Sequence, residues 1–200
     1  MTSLAAFNKI VQRYREEDSP ALQLEWGLLR MLDGEACKVL QEDLRQYAKP
    51  WEVFTATDGL ADALPPMPGL YMFVWQPSFK FDVADRPGQG NLPQVLYIGQ
   101  AGGANSRSNT IRQRYKDYRP HMRGNPEELW TRPEPVTRPE RLSRYLSLRP
   151  LEFWCAIVDN RDKIEHLEKR LIRLFNPPLN DRGRPKIRAR MGSARSAWAS

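Results

Sequence analysis

At residues 69–75 the chain carries the sequence GLYMFVW, which is apolar or aromatic at every position after the glycine. A run of this length is too short for a helix and rich in residues that favour strands, so it predicts a buried β-strand. Residues 95–98 predict a second strand in the same way. Each strand places a tyrosine, Tyr71 or Tyr97, two positions from a glycine. Glycine lets another group approach closely, so each tyrosine either packs in the core, as strand tyrosines usually do, or faces a ligand.

The flanking segments predict the rest of the fold. The residues before the first strand have apolar side chains at helical spacing and end in a proline-rich connector, which predicts helices there. Between the two strands, apolar and polar residues alternate and a Pro-Gly sequence follows, which predicts a hairpin arm. A third strand is predicted at 151–158 and an amphipathic helix at 161–175. We therefore expect a mixed α/β (α+β) protein with a small mixed or antiparallel three-stranded sheet flanked by helices. Its predicted parts are a helical N-terminal extension at 1–65, a central domain at 66–180 and a basic C-terminal tail at 181–200.

Composition limits the function classes. The chain has 200 residues and is 40% hydrophobic, which fits one domain with a modest extension and a real core. It has no apolar stretch long enough to span a membrane, so we predict a cytoplasmic protein without a membrane partner. Cys37 and Cys155 lie far apart and there are only two histidines, so neither a disulfide scaffold nor a zinc site is indicated. Any metal must be held by oxygen.

The net charge of +7 is concentrated in two patches. Six basic residues stand against one acid at 105–123, and again at 181–200, a distribution that predicts a polyanionic partner. In the tail, five cations occupy every second position: Arg182, Arg184, Lys186, Arg188 and Arg190. An extended strand would present all five on one side at roughly the spacing of phosphates, whereas an unordered basic tail is the equally good alternative.

Two charged residues occupy apolar helix faces. Glu168 lies beside the buried stripe of the 161–175 helix, where a carboxylate needs a cation, supplied either by a metal ion or by an arginine. Arg114 shares the apolar face of a short helix predicted at 110–119, so it either contacts a phosphate, stacks on a tyrosine or pairs with Glu168. Other cations in or before this helix point elsewhere and suit looser contact with a nucleic-acid backbone. They are Arg107, Arg112, Lys116 and Arg119.

Taken together, these residues resemble the GIY-YIG nuclease superfamily. The resemblance runs from about residue 67 to 180 and rests on Gly69-Leu70-Tyr71, Tyr97-Ile98-Gly99, Arg114, Glu168 and Asn180, in that order. Leu70 replaces the usual isoleucine, and the separation of 26 positions between the two tyrosines is longer than in compact members. Longer insertions of this kind occur in restriction endonucleases of the superfamily, where they can help to grip DNA.

The resemblance implies a phosphodiester hydrolase with one metal ion per active site, Mg²⁺ or Mn²⁺, held by Glu168. Arg114 would hold a nonbridging oxygen, Tyr71 would accept a proton from the attacking water, and Tyr97 would position the water or the phosphate. Asn180 would support the site by bonding to loop backbone or to Tyr71. Because a free tyrosine has a pKa near 10, a nearby cation must lower it, and Lys116 or Arg112 are candidates besides the metal. Tyr118 stands where some members carry histidine.

The function predicted from these residues is a metal-dependent endonuclease acting on double-stranded DNA, of the restriction or mobile-element kind. Symmetric cutting of both strands would favour a homodimer. Two alternatives stay open at this point. One is a structure-specific DNA repair nuclease, although no cysteine cluster of the kind that often accompanies that role is present. The other is a nucleic-acid-binding module that has kept the scaffold without turnover.

Overall fold

A four-stranded antiparallel sheet forms the centre of the computed structural model, which describes residues 34–77, 80–83, 86–91, 93–103, 108–133, 135 and 137–180. The strands lie in the order β1-β6-β2-β5. Their bounds are β1 Glu52–Thr55, β2 Gly69–Trp75, β5 Gln94–Ala101 and β6 Leu151–Ile157. The three predicted strands are therefore confirmed, and β5 lies at one edge of the sheet.

The predicted number of strands was wrong. β1 lies inside the segment expected to be helical and pairs with β6, Glu52 opposite Cys155 and Thr55 opposite Glu152. It has only four residues, and none of them is buried. Such a short and exposed edge strand has neither an apolar run nor a clear alternation, so the sequence pattern contains no signal for it.

The predicted hairpin arm is present as a separate two-stranded sheet of β3 Lys80–Val83 and β4 Arg86–Asn91. Five helices complete the described chain: α1 Gly34–Tyr47, α2 Ile111–Tyr118, α3 Pro126–Thr131, α4 Arg138–Leu146 and α5 Arg161–Phe175. Short 3₁₀ turns lie at Leu60–Asp62 and Arg119–Met122. None of the helices in the described ranges is long and apolar enough to cross a membrane.

The sheet is covered on both faces. Leu70, Met72 and Ile98 point to one face and pack with the apolar stripe of α5 and with α1. Tyr71, Phe73, Tyr97 and Phe153 point to the other face, where they form an aromatic core with α2 and α4. Residues of β5 thus alternate between two helical layers, and a group at this edge can meet side chains from both.

The helix that carries Glu168 has well-defined ends. The Asn160 side chain accepts a hydrogen bond from the amide of Asp162 at its start, and Asn176 ends it in the left-handed region at φ +44°. Asp43 on α1 forms an ion pair with Arg170, which ties α1 to this helix. The middle of α5 is therefore held firmly against the edge of the sheet.

Candidate active site

A polar pocket of about 220 Å³ lies at the edge strand β5. Its walls combine the two helical layers, because Tyr97 belongs to the α2 side of the sheet while Gln100 follows Ile98 on the α5 side. The pocket is lined by Tyr97, Gln100, Gly102, Gly103, Asn109, Arg114 and Glu168. The structure thus brings together three of the five predicted catalytic residues around one cavity.

Arg114 is the centre of a hydrogen-bond network. Its Nε donates to the Tyr71 hydroxyl at 3.2 Å and its Nη2 to the Tyr118 hydroxyl at 3.2 Å, while Nη1 donates to Asp117 at 3.1 Å. Its guanidinium carbon lies 5.4 Å from the centre of the Tyr118 ring. Burial lowers the pKa of Arg114, but Tyr71 and Tyr118 outweigh it and raise the pKa, so the cation is permanent. The contact with a tyrosine is confirmed, and Arg114 forms no ion pair with Glu168.

The two motif tyrosines, Tyr71 and Tyr97, keep their protons. Tyr118 donates to the Tyr97 hydroxyl at 2.8 Å. Burial, followed by the neighbouring Tyr118, raises the pKa of both Tyr71 and Tyr97 above the ordinary value of 10.0. Tyr71 is fully buried and lies behind Arg114 instead of on the pocket wall. A cation was expected to lower the pKa of Tyr71, with Lys116 or Arg112 as candidates; Arg114 has this effect instead, but it does not offset burial.

The position of the Tyr71 ring explains why residue 99, the last of Tyr97-Ile98-Gly99, is a glycine. Tyr71 and Gly99 are opposite each other in the β2–β5 register, and the tyrosine ring lies over the glycine. A Cβ atom at position 99 would come within 2.5 Å of the Tyr71 ring and hydroxyl. Any larger residue at this position would displace the ring, and with it the hydroxyl that Arg114 binds.

Glu168 is a half-buried carboxylate without an ion pair in the described part of the chain. Burial raises its pKa to about 7, with a further contribution from Glu165, while a hydrogen bond from Gln100 and the charge of Arg114 act in the opposite direction. The arginine salt bridge that was one alternative for this residue is therefore not formed with any described arginine. Glu165 instead pairs with Lys169 at 2.6 Å, as its spacing predicts.

The donor set suits a hard divalent cation with a shell made mostly of water. No group of three or more histidine, cysteine, aspartate or glutamate residues occurs in the described ranges, so a closed protein cage is not formed there. Mg²⁺ commonly keeps several waters and takes only one or two carboxylates from the protein. Glu168 supplies one such carboxylate, and the side chain of Gln100 lies next to it, with a buried Oε1 atom that has no hydrogen-bond partner among the described residues. These residues fit the predicted metal.

Asn180 lies outside the pocket and supports it from behind. Its Oδ1 accepts from the Ile98 amide at 2.9 Å, and its Nδ2 donates to the Ile98 carbonyl at 2.7 Å. The amide of Leu179 adds a bond to the Leu96 carbonyl at 3.1 Å. The asparagine thus pairs with the free edge of β5 and fixes the strand that carries Tyr97. Its partner is strand backbone, which differs from the loop backbone or Tyr71 expected from the sequence.

Replacing Asn180 by leucine is expected to lower the free energy of unfolding by about 2–3 kcal/mol, because two hydrogen bonds to a buried strand are lost. Urea denaturation checks this value. Asn125→Leu is the control, since Asn125 also accepts from a backbone amide but in an exposed helix cap, where the loss is expected to be about 1 kcal/mol. Equal losses for the two variants would contradict the role of Asn180.

The predicted nucleic-acid contacts divide into two groups. Arg112 donates to the carbonyl of Leu64 at 2.8 Å and to that of Asp62 at 3.3 Å, so its guanidinium fixes the chain before β2. Lys116 lies 3.9 Å from the Asp62 carboxylate, and Arg119 is half-buried. The other predicted contacts lie outside the described residues: Arg107, Arg182, Arg184, Lys186, Arg188 and Arg190.

Sequence reasoning missed Gln100 and Asn109 in the pocket and understated Tyr118, which links Arg114 to Tyr97. Gln100 has a signal, because it follows the Tyr-Ile-Gly motif and alternates onto the face that α5 covers. Burial and then the charge of Arg138 lower the pKa of His121, and Arg138 partly offsets the rise that burial causes in the pKa of Tyr97. Helix α4 brings Arg138 close to both residues, a proximity that no local pattern reveals.

Comparison of the chain with protein-family models, with curated proteins and with solved structures finds no match. The family resemblance therefore stays a prediction, carried by the motif residues and the pocket.

Proposed function

We propose that this protein is a metal-dependent endonuclease that hydrolyses phosphodiester bonds of double-stranded DNA, with the GIY-YIG type of active site. The observation that carries the proposal is the pocket at β5, in which a permanent cation, a phenol and a half-buried carboxylate surround one cavity. A phosphodiester needs these three functions: charge neutralisation, a hydrogen-bond donor and a metal ligand.

Arg114 holds a nonbridging oxygen of the scissile phosphate. A guanidinium has five N–H donors, and three of them are used by Tyr71, Tyr118 and Asp117. Two donors are left for the phosphate, and the three protein contacts fix their direction before substrate binds. Preorganised donors of this kind lower the barrier because no reorganisation is needed as charge develops.

The two motif tyrosines have different roles. Tyr97 faces the cavity and already accepts a hydrogen bond from Tyr118, so its own O–H can donate to the phosphate or to the attacking water. Tyr71 has no access to the cavity and acts by holding Arg114. This assignment differs from the expectation that Tyr71 receives the proton of the water.

Glu168 is the proposed ligand of a single Mg²⁺ or Mn²⁺ ion, with waters completing the shell. The ion, when bound, would stabilise the leaving 3′ oxygen and the charge on the phosphate. We also propose that the basic tail contacts DNA, because positive charge is concentrated in two segments of the chain, one of which is the tail. A restriction or mobile-element role and a homodimer are further parts of the proposal.

Incubation of supercoiled plasmid and of branched DNA with the protein and Mg²⁺ or Mn²⁺ tests the function. We expect plasmid cleavage at fixed sequences that a chelator abolishes. Cuts confined to branch points would favour the repair alternative, and a gel shift without any cut under these conditions would identify a silent binding module. Sequencing the ends of the products gives the site and shows whether one strand or both are cut.

Cleavage is expected to fall as the pH drops below about 7, because the pKa of Glu168 is about 7 and only its carboxylate binds the cation. At pH 6 roughly one carboxylate in ten is ionised, so the rate at subsaturating Mg²⁺ should be about tenfold below its plateau. The folded pKa lies above the ordinary 4.5, so the metal-free protein should lose stability as pH rises from about 4.5 to 7. Initial rates and thermal unfolding in chelator measure the two effects. A rate that is flat between pH 6 and 8 would contradict this assignment.

A further inference from the structure

The two ends of the Gln100 carboxamide have different surroundings. Its NH₂ end faces the Glu168 carboxylate and lowers the pKa of that group. Its Oε1 is buried and has no hydrogen-bond partner among the described residues. A buried acceptor without a partner costs about 1–3 kcal/mol, so an arrangement that leaves Oε1 orphaned needs an explanation.

The orphaned oxygen lies below the loop that follows β5. A Cβ atom at position 103 would come within 2.2 Å of Oε1, so the absence of a side chain on Gly103 makes room for this end of the amide. Gly102, at φ +75°, turns the chain over the glutamine, and Arg161 donates to its carbonyl at 3.1 Å. Gly103 therefore lies against one end of the amide, and Glu168 faces the other.

Oxygen and NH₂ are nearly equal in size, so rotation of the carboxamide by half a turn exchanges them without steric cost. With Glu168 carrying no cation, the NH₂ end is attracted to the carboxylate. A divalent cation at Glu168 repels the NH₂ end and attracts the oxygen, which reverses the preference. Mg²⁺ accepts amide oxygens as well as carboxylates as ligands.

We propose that the Gln100 carboxamide turns over when a divalent cation binds at Glu168, so that Oε1 becomes the second protein oxygen at the cation, as a direct ligand or through one of its waters. This inference rests on the proposed function in placing the cation at Glu168. It gives the buried oxygen a partner in the loaded state and places the NH₂ end at Gly103.

Direct measurement of Mn²⁺ binding to the full chain at pH 8, from the electron paramagnetic resonance signal of free Mn²⁺ and without DNA, tests the proposal. Gln100→Leu is expected to weaken binding by about tenfold or more. Gln100→Glu offers an oxygen at both ends and needs no rotation, so it should bind Mn²⁺ at least as tightly as the wild type. Gln76→Leu is the matched control, because Gln76 donates to Glu152 at 2.8 Å in a similar glutamine–glutamate pair and should leave the affinity unchanged.

A second measurement does not depend on any variant folding. The assigned side-chain ¹⁵N–¹H resonances of Gln100 should shift when diamagnetic Mg²⁺ is added, while those of Gln76 stay in place. Wild-type affinity in Gln100→Leu, or unmoved Gln100 resonances at saturating Mg²⁺, would overturn the proposal while plasmid cleavage still supports the nuclease. A wild-type protein that binds no Mn²⁺ and cuts no DNA would overturn both.

Discussion

Replacing Glu168 by glutamine is expected to lower metal-dependent DNA cleavage by at least about a thousandfold. The substitution keeps the shape of the side chain but removes the only carboxylate among the described residues that line the pocket. Loss of several kcal/mol of transition-state stabilisation by the cation corresponds to this factor. DNA affinity, measured by gel shift in Ca²⁺ or chelator, should change little, because positive charge outside the pocket supplies most of it.

Glu165→Gln is the matched control for this prediction. Glu165 lies three residues earlier on the same helix, but its carboxylate pairs with Lys169 at 2.6 Å. Removing it is expected to leave the cleavage rate within a factor of about two, since exposed helix pairs contribute only about 0.3–0.5 kcal/mol. Wild-type turnover in Glu168→Gln would show that the cation is held elsewhere. An equal loss in both variants would indicate a general defect of the helix.

Glu168→Gln should also show how much the ionised carboxylate lowers the stability of the folded protein. An ionised, half-buried carboxylate without an ion pair is unfavourable, which is why its pKa is raised to about 7. In chelator at pH 8 the neutral glutamine variant is therefore expected to unfold at a higher temperature than the wild type. A variant that gains stability while losing activity separates the loss of function from misfolding.

The sequence was sufficient to predict the elements that have strong local patterns. The apolar run of β2 and the amphipathic helix α5 appear in the structure at the predicted positions, since their periodicity reflects burial on a sheet face and a helix stripe. The strand β1 could not be predicted, because its pairing with β6 joins residues about a hundred positions apart and leaves all its side chains exposed except the partly buried Phe54. Tertiary pairing, and not local preference, forms this strand.

The candidate site shows the same division. Arg114 and Glu168 were predictable because a charge on an apolar helix face is unusual wherever it occurs. Which partner each charge takes was not predictable, since the two lie on helices that cover opposite faces of the sheet. The different positions of Tyr71 and Tyr97 also required the structure: both are strand tyrosines beside glycines, yet only Tyr97 borders the pocket.

Replacing Arg114 by lysine is expected to lower kcat by about a hundredfold to a thousandfold, with a smaller effect on KM. Lysine keeps the charge, but its single ammonium group cannot bond to Tyr71, Tyr118 and a phosphate oxygen in fixed directions. The loss of one preorganised donor in an active site has about this magnitude. Single-turnover cleavage at saturating protein isolates the chemical step from DNA binding.

Arg112→Lys provides the control that distinguishes positioning of the phosphate from general basicity. Arg112 is two residues away on the same helix and has the same charge, but its guanidinium bonds to the carbonyls of Leu64 and Asp62. Its replacement should lower stability by about 1–3 kcal/mol and leave single-turnover cleavage of the folded protein nearly unchanged.

Tyr71→Phe removes the hydroxyl that accepts a hydrogen bond from Arg114 Nε. It should reproduce part of the Arg114→Lys defect, although Tyr71 does not reach the pocket. Full activity in Tyr71→Phe would mean that the network around Arg114 does not direct it, and the preorganisation argument for this site would fail.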